Sequence, residues 1–234
     1  MKKFYQDEFL NGKLLLIDKP LGWTSFDVVN YLRLEIRKSL DVKKIKIGHA
    51  GTLDPLATGL MLICTGKLTK KISFLQDLEK EYIGRFFLGA TTPSFDKETN
   101  IDKTYPTNHI TEDMIKKVAK SFLGEIEQTP PKFSAVKIKG RRAYDYARQG
   151  EEVKIKSKIV NIAAFDITDI TENIITFRIR CSKGTYVRAI AEDLGKKLNS
   201  GAYLSELRRT AIGEYLVCNA ILPEEFVKTI RKEF

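Results

Sequence analysis

The spacing of apolar and polar positions changes period several times along the chain, and each change marks an element. Lys13–Asp18 is a short apolar run that stops at Pro20, the pattern of a buried strand. Thr24, Ser25, Phe26 and Asp27 read as a capping box opening a helix to about Arg37. Ile45–Thr58 has loop character, with Gly48, Gly51, Pro55 and a central Asp54. Gly59–Thr65 is an apolar strand, followed by a short helix over Lys67–Leu75. Glu81–Leu88 is rich in aromatic and β-branched residues and reads as a strand, and Thr91–Pro106 as a polar loop. Thr111–Phe122 places Met114, Ile115, Val118 and Phe122 on one helical stripe.

Regularity breaks at Gln128–Arg142, which combines Pro130 and Pro131 with many lysines. A short helix over Ala143–Gln149 ends at Gly150, a residue suited to the position after a helix. Val153–Ile155, Ile159–Ile167 and Asn173–Cys181 read as strands, the last alternating Ile175, Phe177, Ile179 against Thr176, Arg178, Arg180. Thr185–Leu198 is a helix, Glu206–Leu216 a strand, and Pro223–Lys232 a closing helix with acids in its first turn. Strands mostly follow one another, with helices between some of them. That order favours an α+β fold around a mixed, largely antiparallel sheet flanked by helices, with Gln128–Lys156 as a basic insertion.

Charge sharpens the picture. The 234 residues carry 40 Lys and Arg against 30 Asp and Glu, a net charge of +10. Two segments hold all of the excess: Arg33–Lys46 at +4 (six basic, two acidic) and Lys132–Lys158 at +6 (nine basic, three acidic). Charge localised in this way fits a polyanionic partner such as nucleic acid, or solvated lysine faces. Three scattered cysteines, Cys64, Cys181 and Cys218, make no CxxC pair and argue against a disulfide framework or a cysteine zinc site. The longest apolar runs fall far short of the roughly 20 residues a membrane helix needs, and the N-terminal segment has no apolar signal region. We expect a cytoplasmic protein, with no membrane association and no obligate protein partner.

Several chemistries lack their residues. Gly59 and Gly66 are not spaced as a P-loop, and Lys67 is followed by Leu68. No GxGxxG opens a helix, no GxSxG elbow is present, and the only histidines are His49 and His109. Neither a metal nor an organic cofactor is expected. What remains is carboxylate, Tyr, Arg and His chemistry, and the most unusual segment is Gly48-His49-Ala50-Gly51-Thr52-Leu53-Asp54-Pro55-Leu56-Ala57-Thr58-Gly59. Its Asp54 sits in a glycine-flanked loop ahead of a buried strand, restricted by Pro55. Such an aspartate fits either a turn hydrogen bond or a reacting carboxylate.

A series of segments then bears on the choice: LLLIDKPLGWTS at Leu14–Ser25, GHAGTLDPLATGLMLICTGKLTK at Gly48–Lys70, KEYIGRFFLG at Lys80–Gly89, AYDYARQG at Ala143–Gly150, CSKGTYVRAIAEDLG at Cys181–Gly195 and LRRTAIG at Leu207–Gly213. In these the chain resembles the bacterial tRNA pseudouridine synthase B (TruB) family, over nearly its whole length. The resemblance implies a pseudouridine synthase fold in one catalytic domain over residues 1–234, with residues 128–156 as a thumb-like RNA-binding insertion. It implies isomerisation of the uridine at position 55 of the tRNA T loop, on a flipped-out nucleotide. Other readings of the same residues are a tRNA-folding chaperone that binds the T arm, or the same chemistry on another RNA.

By that resemblance Asp54 is the catalytic nucleophile or base, and Arg188 the arginine that pairs with it. Tyr82 stacks on the base and handles the C5 proton. His49 fills the gap beside the flipped nucleotide, Tyr186 and Leu207 line the uracil pocket, and Lys19 and Lys70 contact phosphate. Two departures stand out. Leu68 stands where the family pattern usually has Ala. The C-terminal PUA domain of many members is expected to be missing, because the chain stops at Phe234.

Overall fold

The computed structural model describes residues 2–134, 136–138, 140–151 and 153–232. Its first elements are α1 (Lys2–Gly12), β1 (Leu14–Lys19), α2 (Ser25–Leu40), β2 (Ile47–His49) and β3 (Ala57–Thr65). A 3₁₀ turn over Gly66–Lys71 leads into α3 (Ile72–Asp77), β4 (Lys80–Leu88), β5 (Ala90–Thr91), β6 (Lys103–Thr104) and α4 (Glu112–Lys120). There follow β7 (Gly124–Gln128), β8 (Lys137–Ile138), β9 (Arg141–Arg142), α5 (Ala143–Arg148), β10 (Lys158–Thr171) and β11 (Ile174–Cys181). The chain closes with α6 (Val187–Lys197), β12 (Ala202–Ile212), β13 (Tyr215–Leu216) and α7 (Pro223–Lys232). The fold is α+β, with mainly antiparallel strand pairing, as the order of elements predicts. No described helix is long and apolar enough to cross a membrane.

Residues divide into two compact units, Met1–Tyr82 with Arg208–Phe234, and Ile83–Leu207. Strands β4 and β12 contribute residues to both. In the first unit β1 and β3 pair antiparallel from Leu14 opposite Cys64 to Lys19 opposite Gly59. β2 also pairs antiparallel with β3, with His49 opposite Ile63. β3 is buried along most of its length, as its unbroken run of apolar residues requires. Ala50, Leu60, Leu62, Cys64, Leu75 and Ile212 form one apolar cluster on it. The capping box at Thr24 is realised: its hydroxyl accepts from the Asp27 amide, and the Asp27 carboxylate accepts from the Thr24 amide. α2 then buries Val28, Val29, Leu32, Ile36 and Leu40, and the Glu35 carboxylate on this helix pairs with Arg231 of α7.

In the second unit the strand order is β4-β11-β10-β7. The alternation read in β11 holds, with Ile175, Phe177 and Ile179 buried and Arg178 and Arg180 exposed. Phe177 stacks on Phe86 at 4.1 Å between ring centres, and Phe165 meets both rings edge-on. Ile115 and Ala119 of α4 and Ile190, Ala191 and Leu194 of α6 are buried in the same unit.

The structure corrects several boundaries. The N-terminal segment forms α1, which the chain's opening residues did not suggest. Val153–Ile155 is not a strand. Gly124–Gln128 is one: it pairs with β10, placing Ile126 opposite Val160. The run Glu206–Leu216 is a hairpin instead of one strand, because Gly213 adopts φ 54° between β12 and β13. Thr91–Pro106 contains the short β5–β6 pair.

Candidate active site

Asp54 is placed by bonds on either side of it. Ser25 acts as a substitute for a strand partner: its hydroxyl accepts from the Leu53 amide at 2.8 Å and donates to the Leu53 carbonyl at 2.9 Å. Beyond Asp54, the Pro55 carbonyl accepts from the Gly22 amide at 2.9 Å. The Asp54 carbonyl accepts from the Ala57 amide at 3.1 Å, closing a turn with Pro55 at its second position, where proline's fixed φ is favoured. Leu53 is buried beneath, while the partly buried Asp54 follows it in the loop. The sequence motif at Leu14–Ser25 is therefore the clamp on the motif at Gly48–Lys70.

Two buried cations surround this loop. Lys19 has no solvent exposure, and its ammonium donates to the carbonyls of Trp23 at 2.6 Å, Pro20 at 3.0 Å and Pro55 at 3.4 Å. Burial lowers its pKa to about 8; the Asp54 carboxylate pulls the other way and the Arg209 charge adds to the lowering. Arg209, 1% exposed, donates from Nε to the Leu60 carbonyl at 2.7 Å and from Nη2 to the Gly51 carbonyl at 3.1 Å. Its backbone presses on Gly59, where a Cβ would come within 2.3 Å of the Arg209 carbonyl oxygen. Beside it, Arg208 forks onto Asp18 with bonds of 2.6 and 3.0 Å.

His49 ends β2, and its Nδ1 is buried with no hydrogen-bond partner among the described residues. Burial first, then the Arg209 charge, lowers its pKa, which keeps the ring neutral near pH 7. Tyr82 lies on the buried face of β4 at 9% exposure. Asp54, His49, Lys19 and Tyr82 thus all belong to the first unit, as does Lys70. Lys70 stands apart from Asp54, however: it is exposed on the turn that follows β3, whereas the Asp54 loop precedes that strand. The nine residues of β3 span eight steps of about 3.2 Å, which separates the two loops by about 25 Å.

Arg188, Tyr186 and Leu207 belong to the second unit. Tyr186 is the residue before α6, and the buried Gln128 side chain reads its backbone in both directions. The Gln128 amide donates to the Tyr186 carbonyl at 3.1 Å and its carbonyl accepts from the Tyr186 amide at 2.8 Å. Lys158 lies 4.6 Å from the Tyr186 ring centre. Arg188, in the first turn of α6, is buried against Asp96, with Nε 3.5 Å from Oδ2. It also donates to the carbonyls of Ser94 at 3.2 Å and Phe133 at 3.0 Å. Phe95, at φ 63°, turns the chain here, and its carbonyl accepts from the Leu204 amide. Leu207 is half-buried in β12.

Sequence reading missed Asp96, Arg209, Ser25 and Gln128 as parts of this machinery. Arg209 and Ser25 sit inside quoted motifs, and a buried arginine in LRRTAIG is the signal that was available. Asp96 lies in a polar loop 92 positions before its partner, a separation local patterning does not register. Among the described residues, no group of three or more His, Cys, Asp or Glu side chains is placed to hold a metal ion.

The first unit thus holds a carboxylate clamped by its neighbours, a group suited to acid–base or nucleophilic work, and the second holds a guanidinium fixed by a buried carboxylate. Residues 37–187 match the family described as TruB family pseudouridylate synthase (N terminal domain). The chain is 59% identical over 216 residues to the tRNA pseudouridine synthase B of Flavobacterium johnsoniae, covering 92% of this chain and 94% of that one. It is 53% identical over 218 residues to the protein of the same name from Parabacteroides distasonis, covering 93% of each. Among solved structures, a chain in a Cbf5-Nop10-Gar1 complex superposes with a TM-score of 0.71 at 28% identity, over 95% of this chain and 55% of that one. This chain belongs to the TruB family of pseudouridine synthases.

Proposed function

We propose that this enzyme converts uridine to pseudouridine in the T loop of tRNA, at position 55, with Asp54 as the catalytic carboxylate. The tRNA substrate follows the names of the relatives in Flavobacterium and Parabacteroides, which this chain matches over more than nine-tenths of their length. The observation that carries the catalytic assignment is the clamp on Asp54: Ser25 holds Leu53 before it and Gly22 holds Pro55 after it, fixing the carboxylate in a loop with two buried cations beside it.

The reaction breaks the C1′–N1 bond of the target uridine, turns the base, and joins C5 to C1′, so the product is an isomer of the substrate. Asp54 attacks C1′ or removes the C2′ proton. Tyr82 stacks on the base and handles the C5 proton, and Arg188, held in place by Asp96, serves the same reaction. His49, neutral at its lowered pKa, fills space beside the flipped nucleotide instead of pairing with phosphate. Tyr186 and Leu207 line the uracil pocket. Lys19, fully buried, acts as a brace for the loop.

Residues 128–156 are read as an RNA-clamping insertion of the single catalytic domain. Within it the guanidinium of Arg141 lies 4.5 Å from the ring centre of Tyr146, and that of Arg142 5.7 Å from that of Tyr144, the mixture of charge and aromatic surface that folded RNA loops require. Lys139 of this segment lies outside the described residues. Base extrusion costs a few kcal/mol, offset by stacking and by such backbone contacts.

The experiment is incubation of the protein with unmodified tRNA transcript, followed by mapping of pseudouridine. Product at position 55 supports the proposal. Binding without product favours the chaperone reading, and product only at other positions assigns another RNA site.

A further inference from the structure

The function described so far leaves one charged segment unused. Arg33–Lys46 carries +4, and the structure folds it into one wall of a groove of about 680 Å³. Arg33 and Arg37, four residues apart, project from the same face of α2. Lys43, Lys44 and Lys46 line it from the loop that follows. Lys67 and Lys70 form the opposite side, on the 3₁₀ turn after β3. Among the described residues no Asp or Glu lines the groove, and none of these seven cations is within 4 Å of a described carboxylate. Glu35 of the same helix is occupied by Arg231 and Lys38.

The two walls are joined by backbone. The Gly66 amide donates to the Lys46 carbonyl at 2.8 Å, and Arg33 donates to the Ile47 carbonyl at 3.4 Å. Gly66 itself, at φ 50°, has the Leu10 carbonyl oxygen 2.0 Å from where a Cβ would stand, so the turn is packed against α1. Holding seven like charges together with no described carboxylate within 4 Å of any of them costs electrostatic energy, which an anionic ligand would relieve. Among the described lining residues none is aromatic, so these residues offer cations for phosphates and no ring on which a nucleobase could stack. The groove is suited to phosphates and not to bases.

We propose that this groove binds the sugar-phosphate backbone of the RNA substrate, at a site remote from the reacting nucleotide; the inference rests on the RNA-modifying function proposed above. The remoteness follows from the fold. Asp54 precedes β3 and the Lys67–Lys70 turn follows it, about 25 Å away. The groove adds affinity for a long RNA and does not take part in the chemistry.

The test uses the full chain, a full-length tRNA transcript, and a T-arm hairpin whose stem is too short to span that distance. Lys43→Ala/Lys44→Ala/Lys46→Ala removes three exposed or loop cations and leaves the backbone bonds of Lys46 in place. Its expected effect is a roughly tenfold weaker Kd for tRNA and a salt slope lower by about 2, since each phosphate contact contributes about 0.7–0.9. Binding of the hairpin, and the turnover rate at saturating tRNA, should not change. Arg37→Gln/Lys67→Gln, on both walls, should weaken tRNA binding in the same selective way. Unchanged tRNA affinity and salt slope in both variants would overturn the proposal, as would equal weakening for hairpin and tRNA. Failure of the parent reading is a separate result: wild-type protein would then form no pseudouridine in the T loop of either RNA.

Discussion

Replacing Gly59 with alanine tests how tightly the Asp54 loop is set against β12. Gly59 adopts φ 104°, and a Cβ there would lie 2.3 Å from the carbonyl oxygen of Arg209 and 2.7 Å from its nitrogen. Both obstacles are backbone atoms of a paired strand, so neither can swing away. The matched control is Gly22, also at positive φ (84°) but with nothing within 4 Å of the added carbon. Strain at a positive φ costs about 1–3 kcal/mol at either position. Overpacking adds about 1–3 kcal/mol at Gly59 alone. Gly59→Ala should therefore cost about 4 kcal/mol, about 2 kcal/mol more than Gly22→Ala. Guanidinium titration is the assay. With a slope of about 4 kcal/mol per molar, that excess appears as a midpoint about 0.5 M lower for Gly59→Ala than for Gly22→Ala. Equal midpoints for the two variants would refute the reasoning, because only strain would then be felt and the close approach of Arg209 would carry no energy.

Two further outcomes follow from the buried cations. Arg188→Lys keeps the charge but loses the planar fork that reaches Asp96 and two carbonyls at once, so turnover should fall at least a hundredfold while tRNA affinity changes less than fivefold, by roughly the cost of misplacing a catalytic group; a loss confined to Kd in single-turnover and filter-binding assays would make Arg188 a phosphate contact instead. Lys19 titrates at about 8 in the folded chain against 10.5 unfolded, so between those values the unfolded chain holds more protons and stability rises with pH; Lys19→Met should abolish that rise in chemical denaturation measured from pH 8 to 10, and an unchanged rise would assign it elsewhere.

How much of this was legible in the sequence depends on the range of the interaction. α2 and α7 could be read because capping residues and apolar spacing are local, and Thr24 with Asp27 forms the predicted box. β11 was readable from alternation alone. β7 was not: Gly124–Gln128 offers one strongly apolar residue, Ile126, and becomes a strand only because β10 supplies its partners. The β12–β13 hairpin hid inside an apparent single strand because two short runs of suitable residues flank Gly213. Within the candidate site, the motif around Asp54 marked the loop, but the parts that hold it were silent. Ser25 and Leu53 are 28 residues apart, and Gln128 and Tyr186 are 58 apart. A side chain that substitutes for a strand partner has no periodic signature. Lys19 shows the converse: a lysine in a quoted motif reads as a surface contact, whereas folding buries it on three carbonyls.

The central claim is that Asp54 does the chemistry on a T-loop uridine. Asp54→Asn retains the size and most of the hydrogen bonding of the side chain but removes the charge needed for attack or proton removal. The decisive measurement is pseudouridine formed at position 55 of unmodified tRNA under single-turnover conditions, with circular dichroism and RNA binding followed on the same sample. We expect a folded protein that binds tRNA with near wild-type affinity and forms no product above background. Substantial conversion by the Asp54→Asn protein would contradict the assignment, because no other carboxylate stands in that loop.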